Sequence, residues 1–312
     1  MRSKISAIIT LLICVSITFA TLPANAAKKK LPQKIQVPIQ TSLIVDGKSG
    51  KILHSSNATS KIYPASLTKV MTVYLLFEAL DSGKLSLDQE LYVSNYATQA
   101  LPSKLYLKAK ERITVRDTIL ALAVKSANDA ARVAAENIAS SEAKFARLMT
   151  LRAKQLGMTN TNFTNASGWH DPKQYTTSID LAKLSIAIKR DFPKYYPMFN
   201  KTSFKFKGKN INGHNRVTAT YTGAEGLKTG YTTPAGCNLI TTATRGSKSL
   251  VGVVTGHKTS VVRDQKMVQL LDHHFGVQHK TIKKVNNSKI KKVGHSKKPK
   301  IRSASGTKKK RS

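Results

Sequence analysis

Ser66 and Lys69 stand three residues apart in Ser66-Leu-Thr-Lys69, at the head of a run that is apolar almost all round, from Leu67 to Leu80. At the start of a helix that spacing puts both side chains on one face, where a hydroxyl and an amine can touch. Free backbone N–H groups and the positive end of the helix dipole there favour an alkoxide or a tetrahedral oxyanion. The pairing points to nucleophilic catalysis by an activated serine. The spacing alone is weak, because Ser141 to Lys144 and Ser305 to Lys308 repeat it in a lysine-rich chain. Two further patterns follow Ser66 in order: Ser126-Ala-Asn128 at a polar break between two helical stretches, and Lys228-Thr-Gly230 at the start of a β-type run.

The elements that must position these groups can be read from periodicity. Ser42 to Asp46 and Lys51 to His54 flank a glycine-bounded turn and read as a hairpin. Ser66 to Leu80, ending at Asp81-Ser-Gly83, reads as a helix buried in the middle of a domain. Val115 to Val124 and Asp129 to Ile138 continue as helix around the Ser126 to Asn128 break, and Ser141 to Gly157 and Ser178 to Arg190 are helical as well, the last with Thr177 or Ser178 as cap. The second half changes to strands at Lys228–Thr232, Asn238–Thr244 and Ser249–Thr255, the last two joined by the tight Arg245-Gly-Ser-Lys248 turn. A closing helix is expected from Thr259 to Phe275, returning to the hairpin side of the sheet. The expected fold class is α+β, an antiparallel sheet flanked by helices.

Composition sets the outer limits. The chain has 312 residues and a formal net charge of +36, distributed unevenly: all 16 acidic residues lie between Asp46 and Asp272, and beyond Gln278 there are 14 Lys and Arg and no acid. Arg2 and Lys4, an apolar run from Ile5 to Ala20 and Ala24-Asn-Ala26 form a secretory signal with its cleavage pattern. Residues 1–26 are therefore expected to be a signal peptide, 27–40 a basic linker, 41–277 the catalytic domain and 278–312 a Lys/Arg-rich disordered tail. The body is expected outside the cytoplasm, in the periplasm or on the outer face of the cytoplasmic membrane. Cys237 is the lone cysteine after the signal, so no internal disulfide is available and the core must hold the fold.

The three ordered motifs, with Pro64-Ala-Ser-Leu-Thr-Lys-Val-Met-Thr72, Ser126-Ala-Asn-Asp-Ala-Ala131, Leu156-Gly-Met-Thr-Asn-Thr161, Gly213-His-Asn-Arg-Val217 and Gly226-Leu-Lys-Thr-Gly-Tyr-Thr232, resemble the low-molecular-mass penicillin-binding proteins, specifically the D-alanyl-D-alanine carboxypeptidases. The resemblance covers about Thr41 to Gly276. It implies a serine peptidase acting on peptidoglycan peptides that end in D-Ala-D-Ala, with β-lactams as covalent inhibitors and no cofactor or metal. It also implies Ser66 as nucleophile, Lys69 as its base and Ser126 as a proton relay to the leaving amine, with Asn128 holding the peptide or Lys69. Lys228 and Thr229 would receive the substrate carboxylate, with Gly230 beside them. Ser66 and Tyr231 would supply oxyanion-hole N–H groups, and Arg263 would stand where such enzymes carry a carboxylate-binding arginine.

Other readings are weaker. His170 beside Asp171 and Pro172 reads as a structural loop histidine, and His273, His274 and His279 lack a metal-ligand pattern. Cys237 reads as a small buried residue. A class A β-lactamase needs a glutamate to activate the deacylating water, and Asn162 to Trp169 contains none. A D,D-endopeptidase shares the same motifs. A cationic envelope-binding protein is the alternative from another class: export argues against nucleic acid, and the tail suits an anionic membrane or wall surface better.

Overall fold

The computed structural model describes residues 38–277. The expected signal peptide, the expected linker up to Val37 and the expected tail from Gln278 therefore lie outside the described residues. In chain order the elements are β1 (Thr41–Asp46), β2 (Ile52–Ser56), α1 (Lys69–Asp81), β3 (Glu90–Tyr92), α2 (Asn95–Thr98), β4 (Arg112–Thr114), α3 (Val115–Leu120), α4 (Asn128–Ala139), α5 (Glu142–Gln155), α6 (Ser178–Asp191), β5 (Ser203–Phe206), β6 (Lys209–Asn212), α7 (Arg216–Thr220), β7 (Ala224–Thr232), β8 (Gly236–Arg245), β9 (Lys248–His257) and α8 (Ser260–Phe275). Five strands form one antiparallel sheet in the order β2-β1-β9-β8-β7, so the N-terminal hairpin pairs with the last strand of the chain. The α+β expectation holds.

Both faces of this sheet are covered, which explains the nearly unbroken burial of β8 and β9 and the apolar run from Leu250 to Val254. Successive strand residues point to opposite sides. Leu250 and Val254 join Ile44 and Leu239 against Met267, Leu270 and Leu271 of α8, while Val251 and Val253 join Leu43 and Ile240 in the larger core around α1. Gly252 is the gap in the α8 face: a Cβ there would come within 2.5 Å of the Met267 sulfur. The closing helix packs on β8 and β9 and reaches the hairpin as well, with Ile44 of β1 in its core and His274 beside His54 and the Leu53 carbonyl.

α1 crosses the larger core, with Val70, Met71, Val73, Leu76 and Phe77 fully buried, so a helix without a polar face is stable only there. Thr114, Ser141, Thr177 and Thr259 cap their helices by accepting the N–H three residues on. Two small two-stranded sheets, β3–β4 and the hairpin β5–β6, were not expected from the sequence. Among the described residues no helix is long and apolar enough to cross a membrane.

Candidate active site

Two short irregular turns set the site. Residues Ala65–Thr68 form a 3₁₀ turn ahead of α1, so Ser66 sits before the α-helix and not in its first turn as the sequence implied. Ala65 is held at φ 48°, a left-handed conformation uncommon for a residue with a Cβ. Three neighbours enforce it. The Asn238 amide on β8 donates to the carbonyls of Tyr63 and Pro64. A Cβ on Gly168 would stand 1.9 Å from the Ala65 oxygen, and one on Gly230 would stand 3.1 Å from the Ser66 nitrogen. Glycine at both positions lets the loop and β7 close on the serine from two sides. Ser126 lies in a second strained turn, at φ 62°, where a π-helical segment from Ala121 to Lys125 ends.

These turns bring the predicted residues to one cleft of about 490 Å³, lined by Ser66, Ser126, Asn128, Thr229, Gly230, Tyr231 and Arg263 together with Ser167, Gly168, Trp169, His214 and Arg216. Lys69 and Lys228 stand behind that lining, each 1% exposed. The Lys69 amine has three neighbours: Asn128 Oδ1 at 2.6 Å, the Ser167 carbonyl at 2.6 Å and Ser66 Oγ at 3.1 Å. A neutral amine has two N–H groups and one lone pair. The two short acceptors take the N–H groups, which leaves the lone pair for the Ser66 hydroxyl proton. Burial lowers the Lys69 pKa well below the ordinary lysine range, and the Lys228 charge lowers it further, against opposing pulls from Asp129 and Glu142. The arrangement can deprotonate a serine.

Of the two roles implied for Asn128, the structure shows the one toward Lys69. Its Oδ1 accepts from Lys69, while its Nδ2 donates to the carbonyls of Leu101 at 2.8 Å and Pro102 at 3.0 Å, so both ends are engaged. Lys228 donates to the Thr229 carbonyl, and burial, with Arg263 nearby, brings its pKa down to about 7. Arg263 is buried at the cleft wall, as the resemblance implied; its guanidinium bonds Asp264 and the Asn238 carbonyl, and Asp264 also pairs with Arg216. Tyr231 is 62% exposed at the rim, with Cys237 opposite it in register, buried and lining the same cleft.

His170 packs edge-on against Tyr63 at 4.7 Å, away from any Ser-His-Asp arrangement. Sequence reasoning missed the Ser167 carbonyl, which carries no side-chain signal, and His214. The latter lay in the quoted Gly213 to Val217 stretch without a role. It lines the cleft with its pKa pushed down to about 4, first by burial and then by Lys228, Lys125, Arg263 and Lys69. The cleft is thus a pocket of positive potential, suited to an anionic ligand.

A sequence-family model described as D-alanyl-D-alanine carboxypeptidase matches residues 26–259. The chain is similar to the D-alanyl-D-alanine carboxypeptidase DacF of Bacillus subtilis (31% identical, covering 85% of this chain and 70% of the relative) and to DacC of Escherichia coli (34% identical, 82% and 66%), so it spans about two thirds of their length. Among solved structures it is similar to penicillin-binding protein D2 of Listeria monocytogenes in its ampicillin-bound form, at TM-score 0.70 and 30% identity over 78% of this chain and all of that one.

Proposed function

The chain belongs to the D-alanyl-D-alanine carboxypeptidase family, and from that premise we propose that it is an exported serine D,D-peptidase that removes the terminal D-Ala from peptidoglycan peptides ending in D-Ala-D-Ala. The observation that carries this reading is the Lys69 amine, with two short acceptors for its N–H groups and Ser66 Oγ 3.1 Å away. Ser66 attacks the carbonyl of the penultimate D-Ala and its proton passes to Lys69. The oxyanion forms between the N–H groups of Ser66 and Tyr231, a pairing favoured by the close approach of Gly230 to the Ser66 nitrogen. The C–N bond then breaks, Ser126 relays a proton to the departing amine, and water hydrolyses the ester on Ser66.

The substrate carboxylate goes to Lys228, Thr229 and Arg263. Burial and Arg263 bring the Lys228 pKa down to about 7, and an incoming carboxylate draws its proton affinity up, which favours the Lys228 charge that lowers the Lys69 pKa. β-Lactams enter the same cleft and acylate Ser66. The deacylating glutamate of a lactamase has no counterpart from Asn162 to Trp169, and the carboxylate of Glu142 is taken up by Ala166, Tyr96 and Arg132. The acyl-enzyme with a β-lactam is therefore long-lived.

The test presents the full exported chain with a pentapeptide ending in D-Ala-D-Ala and with a cross-linked peptide dimer. Release of free D-Ala from the pentapeptide is the expected result. Cleavage of the dimer without D-Ala release would replace the carboxypeptidase reading by an endopeptidase one, and penicillin labelling without either would leave a binding protein.

The 14 Lys and Arg of residues 278–312 support a second partner, an anionic membrane or wall polymer, each cation near an anionic bilayer adding on the order of 1 kcal/mol. Deleting residues 281–312 should weaken sedimentation with anionic vesicles or sacculi and flatten its salt dependence. Unchanged retention across the salt series would remove this proposal.

A further inference from the structure

Glu142 opens α5 and is 8% exposed, a carboxylate largely withdrawn from water that must be compensated. It accepts the Ala166 N–H at 3.0 Å with one oxygen. The other receives the Tyr96 hydroxyl and lies 3.3 Å from Arg132 Nε. Arg132 in turn covers the Tyr96 ring at 4.1 Å and donates to the Tyr96 carbonyl at 2.9 Å. Glu142 is thus fixed from several directions, and what it fixes is main chain. The Ala166 carbonyl accepts from Thr72 Oγ1 at 2.7 Å, one turn along α1 from Lys69, and the next carbonyl, Ser167, is the 2.6 Å acceptor of the Lys69 amine. The Ala166–Ser167 segment is clamped between Glu142 on one side and α1 on the other.

We infer that Glu142 is a positioning residue for Lys69: through the Ala166 N–H it holds the Ser167 carbonyl that orients the Lys69 amine toward Ser66. This rests on the reading of Lys69 as the base. The same carboxylate also acts on the amine through space. The charged groups facing Lys69 are Lys228 from β7, Asp129 from α4 and Glu142 from α5, with His214 ahead of α7; Lys228 opposes protonation and the two acids favour it. Around Glu142 itself stand Tyr96, its own ionisation pushed up to about 12 first by burial and then by Glu142, and Arg132. Taking the charge away while keeping an acceptor for Ala166 leaves Lys69 with one acid fewer, so the amine gives up its proton at lower pH.

The experiment measures the rate of covalent labelling by a fluorescent penicillin against pH for the full chain, for Glu142→Gln and for Glu142→Ala. In Glu142→Gln the midpoint of the rising limb should move to lower pH, because one of the two acids that favour the protonated amine is gone. In Glu142→Ala the Ala166 anchor is lost and the plateau rate should fall on the order of 100-fold, as expected for a misplaced catalytic group. An undiminished plateau in a Glu142→Ala protein with a normal melting transition overturns the inference, and an unshifted midpoint in Glu142→Gln removes the through-space part of it. Should the alanine variant fail to fold, Glu142→Asp decides: the shorter acid keeps the charge but draws back from the Ala166 N–H, so its plateau should fall while its midpoint stays, and an undiminished plateau overturns the inference. Failure of the underlying reading shows separately: Lys69→Arg would then keep the rising limb.

Discussion

Ser66→Ala is expected to eliminate covalent labelling by a fluorescent penicillin and to lower D-Ala release by about 10⁴-fold or more, the scale seen when a serine peptidase loses its nucleophile. The fold should survive. Ser66 is only half-buried, and the one side-chain bond that involves it is to Lys69, whose amine keeps Asn128 and Ser167 as partners. Thermal melts of the variant and the parent should therefore agree closely. Because no ester can form, the variant should still bind a D-Ala-D-Ala peptide reversibly, with the carboxylate against Lys228 and Arg263. Covalent labelling that persists at the parental rate would place the nucleophile elsewhere and sink the mechanism.

The second large effect concerns Lys69. General-base catalysis contributes roughly 10²- to 10⁴-fold, and Lys69→Arg should lose that factor at every pH, since a guanidinium keeps its proton and offers no lone pair. The pH dependence supplies the sign. The Lys69 pKa is lowered, by burial first and by Lys228 second, so protonated amine dominates on the acid side and neutral amine on the basic side. Acylation by the parent enzyme therefore rises with pH through the depressed Lys69 value and levels off above it. In Lys69→Arg the residual rate should show no such limb. The stability sign follows the same shift: the unfolded chain, with an ordinary lysine, binds more protons, so burial of Lys69 and Lys228 costs most at low pH. For Lys228 that cost is relieved as pH rises from about 7 toward the ordinary lysine value. Lys69 thus trades stability for rate, because the protonated form of its buried amine opposes folding.

Much of this was legible in the sequence, for identifiable reasons. The runs in α1 and β9 are apolar because they are enclosed on all sides, and the motifs around Ser66, Ser126 and Lys228 carry their side-chain chemistry openly. The 3₁₀ turn at Ala65 was not legible, because it is imposed by Gly168, Gly230 and Asn238, residues more than 100 positions away. The π-helical segment before Ser126, Ala121-Leu-Ala-Val-Lys125, consists of residues that suit an α-helix equally well. β5 and β6 give little strand signal because only Phe204 among their residues is fully buried. The Ser167 carbonyl has no residue type to announce it. Glu142 looked like an ordinary acidic residue in a first helical turn, which it also is.

The Asn238 clamp on Tyr63 and Pro64 spans 175 residues of chain. Its consequence is temporal. The nucleophile's turn takes its final shape only after β8 has been inserted between β7 and β9, so an N-terminal fragment carrying Ser66, Lys69, Ser126 and Asn128 would emerge during synthesis without a working centre. Acylation by a penicillin therefore reports completion of the whole sheet, and its time course during refolding should follow the slow, long-range strand pairings instead of early helix formation.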